Sequence, residues 1–220
     1  MRRPKAVIFD MDGVLIDSEP IHYEVEKQIF SLLGIDVSDV IHRKYMGASN
    51  DFMYSDLKSR FNLSSSTQEL IKFDDDYRCK YLKNLKKIDL NIGVLDLLIE
   101  LKSTGIKLAV ATSSSPDIAV FLLNSCGIAS FFDSVVTTSD AGKSKPAPDV
   151  YLLAARRLGV FPEDCLVLED SPNGLFAAKK ASMYCIVIQN DSQLDKQLIM
   201  ADYRINSFEG LTVEKLVSIF

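Results

Sequence analysis

The sequence predicts an α/β fold, a doubly wound parallel sheet interrupted by an inserted α-helical domain. Three observations carry that expectation. Five short apolar runs, at 5–10, 107–111, 134–137, 165–169 and 184–188, are rich in Val, Ile, Leu and Ala. They lack period-two alternation, as strands do when helices cover both faces of their sheet. Amphipathic helical patterns separate most of these runs, the signature of strands joined by helical crossovers. About 80 residues after Gly13 carry no strand pattern, far beyond an ordinary crossover.

Taken in order, the first run is the first strand, and the strand-free stretch follows it. Ile21, Val25, Ile29, Leu32 and Leu33 line one face of a helix that Gly34 ends. Further helices are expected over 38–46, 50–60 and 67–84, the last preceded by a Ser-Ser-Ser-Thr run suited to N-capping. The insert is therefore assigned to residues 15–91 and the α/β core to 1–14 and 92–220. In the core, Val94, Leu95, Leu97, Leu98 and Leu101 mark a helix stopping at Gly105. Pro116 opens another, with Ile118, Phe121, Leu122 and Cys126 inside and Gly127 beyond its end. Helices over 150–158, closed by Gly159, and 173–181 complete the alternation. Residues 211–220 read as a final helix packing Leu211, Leu216, Val217 and Phe220.

Composition excludes several classes. Hydrophobic residues make up 47% of the 220 and charged residues 25%, which rules out disorder, collagen and coiled coil. A net charge of −5 offers no basic surplus for a polyanion, so nucleic acid is not an expected partner. Cys79, Cys126, Cys165 and Cys185 are too scattered for a zinc site and suit reduced core positions. The apolar run near the N-terminus is broken by Asp10 and Asp12 and lacks a small-residue cleavage site, so it does not read as a signal peptide. No run of 18 apolar residues is present, so no membrane span is expected, and the expected location is the cytoplasm.

The chemistry gathers at strand ends. Asp10 and Asp12 follow the first strand, and Gly13 lets the backbone turn there. Two carboxylates so placed are costly unless something cationic compensates. Thr112, Ser113 and Ser114 follow the second strand, Lys145 lies in the loop after the third, and Glu169 and Asp170 end the fourth. Ligands of open α/β sheets bind beyond the carboxyl ends of the strands. Neighbouring strands would thus assemble carboxylates, a hydroxyl and an ammonium, a set sufficient for metal-assisted phosphoryl transfer.

Asp10-Met11-Asp12-Gly13-Val14-Leu15, Thr112, Lys145-Pro146-Ala147-Pro148-Asp149 and Glu169-Asp170-Ser171 match in order the four motifs of the haloacid dehalogenase superfamily, which the whole chain resembles. Asp17-Ser18-Glu19-Pro20-Ile21-His22 is similar to the run leading into the helical cap in the sugar-phosphatase and β-phosphoglucomutase-like branch. The resemblance implies a Rossmann-like core with an inserted cap and a phosphatase acting on a small phosphorylated metabolite, a sugar phosphate foremost. It implies Asp10 as nucleophile, Asp12 as acid and base, Thr112 as a phosphoryl ligand and Lys145 as the neutralising cation. It also implies Mg²⁺ held by Asp10, the main-chain carbonyl of Asp12 and Asp170, with Glu169 direct or through water. A monomer or weak homo-oligomer is expected.

Competing roles stay open for several residues. Lys143 stands near Lys145 and is the alternative cation, although the Pro-Ala-Pro-Asp that follows favours Lys145. Ser113 and Ser114 could contact phosphate or cap the helix near Pro116, and Glu169 could be an inert rim carboxylate. His22 could reach the active site or pack beneath the cap, whereas His42 is expected at the surface. Asp74, Asp75 and Asp76 are expected on a solvated helix face, since only residues three or four apart share one. Gly47, Ala48, Ser49 and Asn50 resemble the cap loop that reaches into the active site, so Gly47 to Asn50 are the specificity candidates. An ordinary turn with Asn50 as N-cap is the alternative. The β-phosphoglucomutases carry Arg where Asn50 stands and a cap-helix Lys near Phe73, which favours phosphatase over mutase. Dehalogenases of the superfamily lack the second acid, present here as Asp12. A phosphonate hydrolase would need a Schiff-base amine, for which neither Lys27 nor Lys44 is well placed. A non-catalytic metabolite-binding module is the remaining alternative, and the intact set Asp10, Asp12, Thr112, Lys145 and Asp170 speaks against it.

Overall fold

The apolar run at the start of the chain forms the central strand β1 (Ala6–Phe9), in which every residue is fully buried. The computed structural model describes residues 3–45, 48–85, 87–189 and 198–220. After β1 come four helices, α1 (Glu19–Leu32), α2 (Asp39–His42), α3 (Asn50–Phe61) and α4 (Thr67–Asn84). The alternating part then runs α5 (Val94–Ser103), β2 (Lys107–Thr112), α6 (Pro116–Ser125), β3 (Ser134–Thr137), α7 (Thr138–Ala141), α8 (Asp149–Leu158), β4 (Cys165–Glu169), α9 (Pro172–Lys180) and β5 (Tyr184–Ile188). Strand β6 (Tyr203–Ile205) and helix α10 (Val213–Ile219) end the described chain.

Among the described residues the sheet has six strands in the order β3-β2-β1-β4-β5-β6, all paired in parallel. The chain moves outward from β1 through β2 to β3, then returns to place β4 on the other side of β1. That reversal is a switch point, where crossovers leave the strand ends in opposite directions and open a crevice. Register aligns Phe9 with both Val110 and Leu168, so β4 ends one residue and β2 two residues beyond the end of β1.

Packing follows the pleat, which sends successive side chains to opposite faces. Ala6, Ile8, Ala109, Ala111 and Val167 join one cluster with Val150, Tyr151, Ala154, Ala155 and Leu158 of α8 and Leu175, Ala177 and Ala178 of α9. The α8 residues recur at helical spacing and turn one stripe to the sheet. Each fully buried Val or Leu contributes about 2 kcal/mol of transfer free energy. Val7 and Phe9 point the other way, and Phe9 meets Phe132 edge to face at 5.9 Å.

The expected strands all form, and β6 is an addition. Only three residues long, with Tyr203 and Arg204 exposed, it has no apolar run to announce it. The insert is also shorter than 15–91. The chain divides into one unit of Met1–Asp17 with Ile88–Phe220 and a second of Ser18–Lys87. The connecting residues belong to the first unit because their polar groups are used there. Asn91 donates its side-chain amide to the carbonyls of Gly13 and Val14 at 2.8 and 2.9 Å. Its backbone N–H reaches Leu15, and that of Asp17 reaches Asp89.

The helical unit has its own core of Phe30, Ile35, Tyr45, Met53, Tyr54, Leu57 and Leu70. Helix α4 begins with a capping box in which Ser66 accepts from the Glu69 N–H and the Glu69 carboxylate accepts from that of Ser66. Two expectations fail here. His42 is buried, bonded to Glu26, stacked on Tyr23 at 4.9 Å and edge-on to Phe30. Asp74 is buried as well, because Arg78 stands one turn along α4 and bonds it at 3.0 Å. The acidic run splits across the helix, leaving Asp76 exposed with Lys72 at 3.2 Å. Arg78 also donates to His22 and lies 3.6 Å from Glu26, so one guanidinium organises both histidines' neighbourhood. Burial alone would raise Glu26, but His42 and Arg78 hold it below the usual carboxylate range.

This arrangement separates the three aspartates by experiment. Asp74→Ala takes the nearest carboxylate from a buried guanidinium while Glu26 remains, so a loss of about 2 kcal/mol is expected in urea unfolding. Asp76→Ala should change stability by less than about 0.5 kcal/mol. Equal effects would return Asp74 to the solvated face.

Candidate active site

Three strand ends and one loop supply the polar cluster. Asp10 extends β1 by one residue, its N–H bonded to the Leu168 carbonyl at 2.9 Å. Asp12 lies just beyond, Thr112 closes β2, Glu169 closes β4 and Asp170 follows it. Lys145 comes from the loop before α8 and is buried, whereas Lys143 is exposed. Of the two lysines, Lys145 is the one that lies within the cluster. Its ammonium donates to Asp10 Oδ1 and, at 2.7 Å, to Glu169 Oε1.

Asp12 is oriented from β2. Ser114 Oγ donates to its Oδ2 at 2.8 Å, and Thr112 Oγ1 stands 3.5 Å from the same oxygen. Thr112 Oγ1 in turn accepts the Ser114 N–H at 3.0 Å, which fixes the turn beyond the strand. Ser113 is exposed beside them. Ser115 occupies the N-cap position of the helix that follows, without a side-chain capping bond, so neither Ser113 nor Ser114 fills that position.

Glu169 is far from an inert rim carboxylate. It is fully buried, and its Oε1 accepts from Lys145 and from the Tyr151 hydroxyl, each at 2.7 Å. Its Oε2 accepts from the N–H groups of Asp170 and Ser171 at 2.9 Å and from Ser171 Oγ at 3.0 Å. A carboxylate has about four lone-pair sites, so these five donors saturate it. Gly174 makes room for it at the start of α9, since a Cβ there would lie 1.6 Å from Glu169 Oε1.

Donor supply separates the two carboxylates on Lys145. Burial would raise Glu169, but the ammonium and the surrounding donors hold it below its ordinary value. Asp10 is pushed up to about 7 by burial, against the pull of Lys145 and with the charges of Glu169 and Asp12 adding to the rise. Lys145 is raised, because the attraction of Asp10 and Glu169 outweighs the effect of burial.

Four carboxylates, those of Asp10, Asp12, Glu169 and Asp170, gather at these strand ends, and the Lys145 ammonium joins two of them. Asp10, Glu169 and Asp170 each present an oxygen within 4.8 Å of the others. Gly13, at φ +76°, leaves the space that Asp170 uses: a Cβ on Gly13 would come within 2.0 Å of Asp170 Oδ2. Hard oxygen donors with neither His nor Cys fit Mg²⁺. With Glu169 saturated, Asp10 and Asp170 are the carboxylates best able to touch such an ion.

The candidates in the insert belong to the helical unit. His22 is partly buried and accepts from Arg78. Asn50 is exposed at the first position of α3 and lies 3.4 Å from Asp74, while Ser49, not Asn50, is the N-cap, accepting from the Phe52 N–H at 3.3 Å. Gly47 lies outside the described residues. Sequence reasoning missed Tyr151, Asn91 and Arg78. A tyrosine inside the apolar stripe of α8 was a usable signal, because a buried phenol needs a partner.

Comparisons place the chain among known proteins. It is 35% identical over 179 residues to a phosphorylated carbohydrates phosphatase of Thermotoga maritima, covering 81% of this chain and 82% of that protein. It is 31% identical over 223 residues to hexitol phosphatase B of Escherichia coli K12, covering 98% of each. The crystal structure of β-phosphoglucomutase from Clostridium difficile superposes with a TM-score of 0.84 at 25% identity, covering 98% of this chain and 96% of that one. Residues 7–188 match the haloacid dehalogenase-like hydrolases, and the chain belongs to that family.

Proposed function

We propose that the chain is a Mg²⁺-dependent phosphatase that hydrolyses small phosphorylated metabolites, sugar phosphates foremost, through an aspartyl-phosphate on Asp10. The observation that carries this is the buried Lys145 ammonium bridging Asp10 and Glu169 beside the Asp10, Glu169 and Asp170 oxygens. The names of the two phosphatase relatives support the substrate class.

Mg²⁺ would be held by Asp10, the Asp12 carbonyl and Asp170, with Glu169 behind a water, and would supply charge stabilisation to the phosphoryl oxygens. Asp10 attacks phosphorus, forming one P–O bond as the bond to the ester oxygen breaks. Asp12, steadied by Ser114, gives its proton to the leaving alkoxide. It then takes a proton from water, whose oxygen attacks phosphorus and frees Asp10 and inorganic phosphate. Lys145 offsets the charge gathering between nucleophile and phosphoryl group, and Thr112 is the proposed hydroxyl ligand of that group, which Ser114 reaches only by releasing Asp12. Ser113, His22, Gly47 and Asn50 are proposed as substrate contacts.

The second reading, a β-phosphoglucomutase-type mutase, draws on the structural likeness to such an enzyme. A mutase must hold a second phosphate with cations on the insert. Asn50 and Phe73 carry no charge, and Arg78 is already engaged by Asp74 and Glu26. The phosphatase is therefore favoured.

Phosphate release from a panel of sugar, polyol and nucleotide phosphates should require Mg²⁺, with strong preference for one or two esters. Asp10→Asn should lower the rate by at least about a thousandfold. Conversion of β-glucose 1-phosphate to glucose 6-phosphate instead would establish the mutase, and no turnover of any ester would leave a binding module. Proton and cation compete for Asp10. With Asp10 near 7, Mg²⁺ affinity should level off above that pH and weaken below it by up to about tenfold per unit. Calorimetric titration in buffers of different ionisation enthalpy would read the released proton. An affinity independent of pH from 6 to 8 (about the span around that value) would remove Asp10 from the ligands.

A further inference from the structure

We infer that Tyr151 is a positioning residue that sets how the Lys145 ammonium is divided between Glu169 and Asp10, an inference that rests on the phosphatase proposed above. Tyr151 sits on α8, fully buried, and touches both members of the ion pair. Its hydroxyl donates to Glu169 Oε1 at 2.7 Å, the same oxygen that Lys145 reaches at 2.7 Å. Its ring lies beneath the ammonium, with Nζ 4.9 Å from the centroid.

Packing does not require this phenol. The other residues of the α8 stripe, Val150, Ala154, Ala155 and Leu158, are apolar, and phenylalanine would fill nearly the same volume. A buried hydroxyl carries a desolvation cost, and here the hydrogen bond to Glu169 offsets it. The hydroxyl has a directional effect. Glu169 Oε2 is served by two backbone N–H groups and Ser171, none of which touches Lys145. Oε1 is served by Lys145 and Tyr151 alone among the described residues. A second donor on Oε1 reduces that oxygen's pull on the ammonium and leaves it available to Asp10 and to a phosphoryl group bound there. Without the hydroxyl, Oε1 has only the ammonium and draws it away from the nucleophile. The ring holds the cation laterally in either case. Tyr151 does not touch the reacting atoms.

Tyr151→Phe removes the hydroxyl and keeps the ring. With p-nitrophenyl phosphate and saturating Mg²⁺, kcat should fall about tenfold while KM stays within about twofold. In the metal-free protein the ¹⁵N signal of the Lys145 ammonium should move, since its hydrogen bonding is repartitioned. Tyr203→Phe, on exposed β6, should leave both readouts at the parent value. A kcat within about twofold of the parent, or an unmoved Lys145 signal, overturns the inference. Were the parent chain inactive on every ester, the phosphatase proposal would fall, and the ammonium signal alone would decide the positioning role.

Discussion

The Lys145 ammonium makes the rest of the site possible. Asp10 and Glu169 are both buried, and two carboxylates so close in a medium of low dielectric would drive each other to protonate. One ammonium between them, itself buried, lets the cluster exist in water-poor surroundings. Its compensation is uneven: among the described residues the Glu169 carboxylate has five donors, whereas that of Asp10 has Lys145. The group left with unsatisfied charge is the one expected to bind a cation and attack phosphorus.

The fold delivers these groups without long-range adjustment. The parallel strands β1, β2 and β4 end within two residues of one another, and the sheet reverses its order between β1 and β4, so Asp10, Thr112 and Glu169 arrive from adjacent strands. Lys145 enters from the loop leading into α8, whose apolar stripe anchors it to the core and carries Tyr151 beneath it. The two glycines at the site act by absence of a side chain. Gly13 admits Asp170, and Gly174 admits Glu169.

Much of this was legible because it lies in local patterns. Buried parallel strands announce themselves as unalternating apolar runs, and the five long enough to do so were found at nearly their observed bounds. Strand β6 was not, since three residues with two exposed carry no such pattern. Asp10, Asp12, Thr112, Lys145, Glu169 and Asp170 were legible as polar groups at strand ends. What escaped is set by partners distant in sequence or by a single helical turn. His42 is buried because Glu26 waits for it, and Asp74 because Arg78 stands four residues on. Tyr151 was missed because its hydroxyl partner lies 18 residues away on another element. The ends of the insert were misplaced for the same reason: Asn91 is bound to the turn at Gly13, and nothing local in the sequence says so.

The most direct test of the central claim is a crystal structure of the chain with Mg²⁺ and beryllofluoride, which mimics a phosphoryl group on a carboxylate. The expected result is beryllium bonded to Asp10, Lys145 against a fluoride, and the cation touching Asp10, Asp170 and the Asp12 carbonyl. Beryllofluoride bound elsewhere, or a cation ligated away from Asp10, would contradict the assignment of Asp10 as the nucleophile.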